Sequence, residues 1–422
     1  MTTETAEQRV VIAHGLYEQG RLEDCLREWH AVIRTRPDWA EPHFHLGSTL
    51  WYSGDKAGAA AEWQQAIRLD PDYAAAHSSL GSALMNQGNT DAGLLEFQQA
   101  VRLEPNDARY RRNLARALSD KGHASEAAAE YEEALRLEPQ HAPTHLNSGL
   151  ILQAQGHLDN ALPEYLEALR LHPDYAAAHN SVGSVLWKQG HRDKALVSFQ
   201  EAVRLEPGNA LFRRNLARAL KDKEDWVAAG AEYQAAVQAD PQDRSSFLSL
   251  ALVLEKAGRY AESAQQYRAA LRLGADDTYT HSCLGYALIQ GKDYRAAEVA
   301  CREAIHLNPE YAEPHKLLAW VLAKTGQPEE AIAEYQIAAR LAPEDAEIHM
   351  ALLCLHGRRR ECEAASREAE AAIAGYEAIL RDDPTQAEAR RKLGKLYLSQ
   401  GDIGSACKLL FGAKKVRGQG SA

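Results

Sequence analysis

The chain reads as an all-α solenoid of about twelve helix pairs, and three observations carry that reading. Prolines fall at 37, 71, 105, 139, 173, 207, 241, 309 and 343, every interval being 34 residues except one of 68, where Ala275 fills the vacant slot. On the same beat a small residue recurs at Gly47, Gly81, Ala115, Gly149, Gly183, Ala217, Ala251, Gly285 and Ala319. An aromatic recurs at Trp29, Trp63, Phe97, Tyr131, Tyr165, Phe199, Tyr233, Tyr267, Tyr335 and Tyr376, with Cys301 and Leu410 as departures. Several independent slots on one period of 34 mark stacked helical units rather than a domain with a single core.

Each part of a unit has a physical reason. Apolar residues recur at i, i+3, i+4 and i+7 in "HSSLGSAL" and in "AEYEEALRL", so each unit holds two amphipathic helices. A glycine between them, at 20, 54, 88, 122, 156, 190, 258, 326 and 401, ends the first helix. The glycine or alanine inside the first helix lets paired backbones approach, and the aromatic of the second helix plugs the space between neighbouring units. Proline closes the unit, where no further helical N–H is needed. Units begin near residues 6, 40, 74, 108, 142, 176, 210, 244, 278, 312, 346 and 387. Residues 1–345 therefore form ten regular units, the first near 6–39. Residues 346–386 form an irregular unit, because Pro343 to Pro384 is 41 residues, seven too many, and "HGRRRECEAASRE" at 356–368 reads as a lengthened second helix or loop. Residues 387–422 form a basic capping unit.

These residues resemble the tetratricopeptide repeat (TPR) family, whose pattern L-G-x-x-Y…A-x-x-x-F…P is matched by "LGSALMNQGNTDAGLLEFQQAVRLEP" at 80–105, with leucine where the family often has tyrosine. The resemblance covers nearly the whole chain and is closest to bacterial and O-linked N-acetylglucosamine transferase-type arrays, without a catalytic domain. It implies a right-handed superhelix whose first helices line a concave groove. The family's early tryptophan is replaced by His43, His77, His145, His179, His281, His315 and His349. Equivalent positions in stacked helices sit about 10 Å apart, too far to share a metal with bonds of about 2 Å. The register is therefore read as structural, and neither metal nor cofactor is expected.

Composition narrows the function classes. The chain is 45% hydrophobic and 25% charged, as folded proteins are, and its net charge of −11 opposes broad coating of nucleic acid or acidic lipid. From Pro384 onward eight basic residues face two acids, a net +6, leaving −17 elsewhere. The start "MTTETAEQRVVIAHG" has neither basic n-region nor apolar core, and no run approaches the roughly 18 apolar residues of a spanning helix. A soluble, cytoplasmic protein without membrane insertion is the expectation. The six cysteines include no C-x-x-C pair and read mostly as small buried residues.

A second periodicity bears on function. The segment 72–105 matches 174–207 at 22 of 34 positions but 106–139 at only 11, and 106–139 matches 208–241 at 17. A three-unit cassette is thus used twice, and the string "RRNLARAL" stands unchanged at 111–118 and 213–220. Spacing of four puts Arg112 with Arg116, and Arg214 with Arg218, on one helix face. With Asn113 and Asn215 beside them, they are predicted to offer an anion-accepting patch in each cassette, guanidinium being suited to paired hydrogen bonds with carboxylates. The competing reading pairs them with acids such as Asp120 and Asp222. Asn147, Asn180, Trp51, Trp187, Tyr286, Lys316 and Trp320 are placed on the same groove. The asparagine ladder that the resemblance implies for peptide clamping is met at Asn113, Asn147 and Asn215 but broken by His45, Ser79, Ser181, Ser249 and Cys283.

The sequence therefore predicts a non-catalytic scaffold that binds extended peptide or protein partners, carrying acidic groups, in its groove. No G-x-S-x-G, P-loop or H-E-x-x-H motif speaks for an enzyme. The alternatives are a single-stranded RNA-binding helical-repeat protein, which the net acidity disfavours, and an adaptor subunit of a larger enzyme complex. Near-identical units also allow self-association.

Overall fold

The structure is a computed structural model that describes residues 5–274, 277–400, 402, 405, 406 and 409. Ala275, Gly401, Cys407, Leu410 and the basic residues Lys408, Lys414, Lys415 and Arg417 lie outside the described residues. Among those described there are twenty-three helices and no strand. None of these helices is long and apolar enough to cross a membrane.

The chain divides into two compact units, Met1–Pro207 and Gly208–Ala422. The first contains α1 (Ala6–Glu18), α2 (Leu22–Thr35), α3 (Ala40–Ser53), α4 (Lys56–Leu69), α5 (Ala74–Asn86), α6 (Thr90–Leu103), α7 (Ala108–Asp120), α8 (Ala124–Leu137), α9 (Ala142–Ala154), α10 (Leu158–Leu171), α11 (Ala176–Lys188) and α12 (Arg192–Leu205). The second contains α13 (Ala210–Asp222), α14 (Trp226–Ala239), α15 (Arg244–Lys256), α16 (Tyr260–Arg272), α17 (Thr278–Gln290), α18 (Tyr294–Leu307), α19 (Ala312–Thr325), α20 (Pro328–Leu341), α21 (Ala346–Arg358), α22 (Cys362–Asp382) and α23 (Ala387–Ser399). Odd-numbered helices are the first of each repeat and even-numbered helices the second.

Within each unit every helix packs chiefly on its chain neighbours, and first helices also touch the next first helix, as α5 with α7, α9 with α11 and α17 with α19. The core is accordingly a row of small clusters rather than one centre. Tyr165 and Val182 share one cluster in the first unit, and Tyr233, Leu250 and Val253 share one in the second. Tyr165 and Tyr233 are thus each buried between the first helix of their own repeat and that of the next.

That arrangement explains the small-residue slot. A Cβ added to Gly149 would lie 2.6 Å from the Tyr165 ring, and one added to Gly183 would lie 2.7 Å from Phe199. Aromatic rings therefore press directly on the backbone of the first helix in their own repeat, besides plugging the gap to the following one.

The turn between paired helices is equally regular. In the α9–α10 turn the His157 N–H donates to Leu152 and the Gly156 N–H to Gln153, satisfying carbonyls that the helix end leaves over. The pivot residue is left-handed, as at Gly156 with φ +83°. Where the repeats lack glycine, Glu224, Lys292 and Arg360 adopt the same conformation with φ of 61–64°. Tertiary packing here overrides a local cost of roughly 1–2 kcal/mol for a side chain in that region. The turn that closes a repeat uses proline second, as in the Asp107 N–H to Glu104 carbonyl bond spanning Pro105.

The irregular repeat differs in its second helix. α22 runs 21 residues where α20 runs 14, so the additional residues extend a helix. Cysteine burial differs from the sequence expectation: Cys25 and Cys301 are buried, Cys283 is half-buried, and Cys354 and Cys362 are exposed.

Candidate functional site

The histidine register resolves into a ladder of side-chain pairs within repeats. His43 meets Glu62 at 2.6 Å, His145 meets Glu164 at 2.7 Å, and His315 and His349 meet Glu334 and Glu368 at 2.6 Å. The other imidazole nitrogen of His145, His315 and His349 bonds the carbonyl of the preceding repeat's proline at 3.0 Å. Each ring thereby links its own second helix to the incoming turn. Arg111 occupies the same slot, donating to Glu130 at 2.7 Å and to the Pro105 carbonyl at 2.8 Å, and Arg213 donates to Glu232 at 2.7 Å. The first arginine that each copy of "RRNLARAL" shares is thus an internal strut.

The remaining arginines of the string divide into two kinds. Arg112 donates to Glu138 at 2.5 Å, and Arg214 donates to Asp243 at 2.6 Å. These correct the expectation of a free four-arginine patch, and the partners are not Asp120 and Asp222. Identical strings choose different acids because the site equivalent to Asp243 is His141 in the first copy, so Arg112 turns to the end of its own repeat instead. Burial, reinforced by Arg112, lowers the basicity of that His141. Burial tends to raise the Asp243 carboxyl, but the Ser246 hydroxyl and the Arg214 guanidinium outweigh it and hold it low. Arg116 and Arg218 remain exposed, and their charges reach the phenols of Tyr131 and Tyr233.

Other first-unit residues are less available than their register suggested. Asn180 is 9% exposed, which corrects its placement as an open groove contact. Asn113 donates to the Ser78 hydroxyl at 3.0 Å, bridging successive first helices, while Asn147 is half-buried. Trp51 packs 5.7 Å from Trp63 beneath the Lys56 ammonium, and Trp187 stacks under Arg192 at 3.8 Å. Asn215 is half-buried on α13.

In the second unit the structure brings three predicted residues into one cavity of about 540 Å³. Tyr286 of α17, Lys316 and Trp320 of α19, and Met350 and Cys354 of α21 line it, with Glu313 and Glu347 at its edges. An adjoining cavity of about 330 Å³ shares Tyr286, Glu313 and Leu317 and adds Tyr279, Cys283 and Glu255. Tyr279 is 62% exposed and Tyr286 38% exposed, so two aromatic rings stand open along the first-helix face. Trp320 is held on one side by Tyr294 at 5.8 Å and by the Lys324 ammonium at 5.2 Å.

Charge in this groove is more balanced than the sequence suggested. The Lys316 ammonium pairs with Glu313 at 2.6 Å and Asp345 at 3.2 Å. Burial disfavours its charge, but those carboxylates outweigh it and raise its pKa. Burial raises the Glu255 carboxyl. Glu347, which the sequence did not place here, accepts from Tyr376 at 2.9 Å and pairs with Lys392. It stands 34 residues after Glu313, as Met350 does after Lys316, so the repeat beat could have placed it; the extra residues of the irregular repeat come later, in α22.

A further group went unnoticed in the sequence: His14 of α1 lies against Glu41 and His45 of α3. Only the spacing of one repeat less seven residues, followed by i+4, could have marked it. Burial, assisted by His14, pushes His45 down to about 4, so its 3.8 Å approach to Glu41 is not an ion pair at neutral pH.

Sequence patterns described as tetratricopeptide repeat match residues 10–74, 44–108, 79–142, 183–244, 215–278, 248–312 and 361–411, and another matches 287–353. A TPR repeat pattern matches 149–190. No curated protein sequence matches. Among solved structures, the chain is similar to YrrB, described as a TPR protein with an unusual peptide-binding site, at 20% identity and a TM-score of 0.41 over 46% of this chain and 97% of that one. It is similar to MamA at 23% identity and a TM-score of 0.37, over 38% of this chain and 95% of that one. It is also similar to the APC/C hetero-tetramer Cut9-Hcn1 at 15% identity and a TM-score of 0.44, over 96% and 92%.

Proposed function

Because the chain belongs to the tetratricopeptide repeat family, we propose that it is a non-catalytic scaffold that seats an extended segment of a partner protein on its first-helix face. The observation that carries this reading is the paired cavity around Tyr286, Lys316 and Trp320. Aromatic walls offer contact area at small entropic cost, and large apolar anchors in such pockets dominate binding energies. Lys316, already paired with two acids, contributes orientation more than net attraction. The partner segment therefore carries an apolar anchor for the second unit, and its acidic groups are suited to Arg116 and Arg218 rather than to this cavity.

The test is a photo-crosslinking residue placed at Met350, on the cavity wall, with Val227 on the second-helix face of α14 as the control. Crosslinks from position 350 are expected to one protein segment, and excess of that segment as free peptide should abolish them. Crosslinks of equal yield at both positions, or to RNA, would remove the proposal.

The arginine string supplies a separate expected result. Changing Arg116 and Arg218 together to alanine should leave the melting temperature nearly unchanged and weaken binding of an acidic partner about tenfold, since a charged hydrogen bond contributes roughly 1.5–3 kcal/mol where water is excluded. Changing Arg112 and Arg214 should instead cost stability, by roughly 0.5–1 kcal/mol per partly exposed pair. Calorimetry and a binding titration on both double variants check this; if the two behave alike, the division of the arginines fails.

A further inference from the structure

We propose that His14, Glu41 and His45 form a binding site for one zinc ion, which clasps the first repeat to the second and keeps one coordination position open. The ligand-capable atoms of the three side chains all lie within 4.8 Å of one another. Ligands about 2.0–2.1 Å from a tetrahedral zinc stand roughly 3.3 Å apart, so the group closes on an ion with small side-chain rotations. Glu41 can supply most of that movement, its side chain being 43% exposed.

The rings are already positioned. His45 lies stacked on the buried Trp29 indole at 5.2 Å between centroids, and His14 meets the same indole edge-on at 5.1 Å. The two imidazoles stand nearly perpendicular, 82° apart, with centroids separated by 4.5 Å. Phe44 closes another side of His45 at 5.1 Å. Aromatic packing thus replaces the outer hydrogen bonds that commonly orient metal-binding histidines.

Charge and helix placement point the same way. Glu41 and His45 are one turn apart on α3 and share a face, while His14 projects from α1, so the set crosses between repeats. Among the described residues no arginine or lysine forms an ion pair with Glu41, which leaves one carboxylate beside two nitrogen ligands. Two imidazoles and a carboxylate suit zinc and its neighbours in the first transition row, not calcium or magnesium. A cross-repeat ion would restrain α1 against α3, adding to the nearest-neighbour coupling on which a repeat array depends.

The experiment uses the full-length chain without a histidine tag, stripped of metal by a chelator, and cobalt(II) and zinc(II) as probes. One equivalent of cobalt should produce the visible d–d bands of a four-coordinate nitrogen and oxygen site, and zinc should displace it. His45→Ala and Glu41→Gln should each weaken binding at least tenfold, whereas His30→Ala, an exposed histidine outside the group, should leave it unchanged. Circular dichroism confirms folding of each variant, and Glu41→Gln keeps the ring packing intact should His45→Ala unfold the first repeat. Zinc should also slow hydrogen exchange in α1 and α3 of the parent alone. Absence of the cobalt spectrum, a thiolate-to-cobalt band assigning the ion to cysteine, or equal binding by parent and Glu41→Gln overturns the proposal.

Discussion

Replacing Tyr233 by alanine is expected to cost roughly 3–5 kcal/mol, the usual loss on deleting a large buried ring. The ring is 2% exposed and sits among Ala217 of α13, Ala229 and Val237 of its own α14, and Leu250, Val253 and Leu254 of α15. Its removal opens a cavity that three helices would have to collapse to fill, and the aligned backbone hydrogen bonds of those helices resist such collapse. Burial also raises the phenol's pKa, consistent with a ring that has left water. Since coupling in a solenoid is mainly between nearest neighbours, α13 to α15 should lose hydrogen-exchange protection while distant repeats keep theirs. Tyr131→Ala should shift the weak segment to α7 to α9, where the ring packs on Leu114, Leu118 and Ile151. Equal loss of protection along the entire chain in either variant would contradict this account. Tyr233→Phe, which keeps the ring, should cost no more than about 1 kcal/mol.

Trp320→Ala should weaken binding of the captured partner roughly thirtyfold, corresponding to the 2 kcal/mol or more that anchor tryptophans commonly contribute. The indole forms a wall of the second-unit cavity and is held by Tyr294 and Lys324 in one orientation, so little freedom is lost on binding. Because it is half-buried against the local core, the same change will also lower the melting temperature. Trp320→Phe separates the two effects: packing is largely retained while the reach of the indole is lost. Lys316→Ala should have a smaller effect on affinity, its charge being already balanced by Glu313 and Asp345. A Trp320→Ala chain that stays folded at the assay temperature and binds as tightly as the parent would show that the anchor lies elsewhere.

The 34-residue beat by itself determined the helix pairs, their order and the buried faces. Each of those features arises from residues close in sequence or from contact with the adjoining repeat, so a pattern such as Gly149 followed sixteen residues later by Tyr165 already describes a contact. Tertiary structure alone decided which charges remain free. "RRNLARAL" is the same string in both copies, yet Arg112 finds Glu138 and Arg214 finds Asp243, because a long side chain selects among acids 26 to 29 residues away that the string does not contain. The histidine register reads as structural, but only the folded chain shows how: His43, His77, His145, His315 and His349 each meet a glutamate 19 residues on, across the helix pair, whereas His179, with Ser198 at that distance, bonds the Pro173 carbonyl instead. Left-handed pivots at Glu224, Lys292 and Arg360 carry no glycine to announce them and are imposed by the packing of the helices on either side. The second-unit cavity and the His14, Glu41 and His45 group likewise combine side chains from different repeats. Periodicity places such residues on a face, but rotamer, burial and the competition among neighbouring charges determine which of them meet.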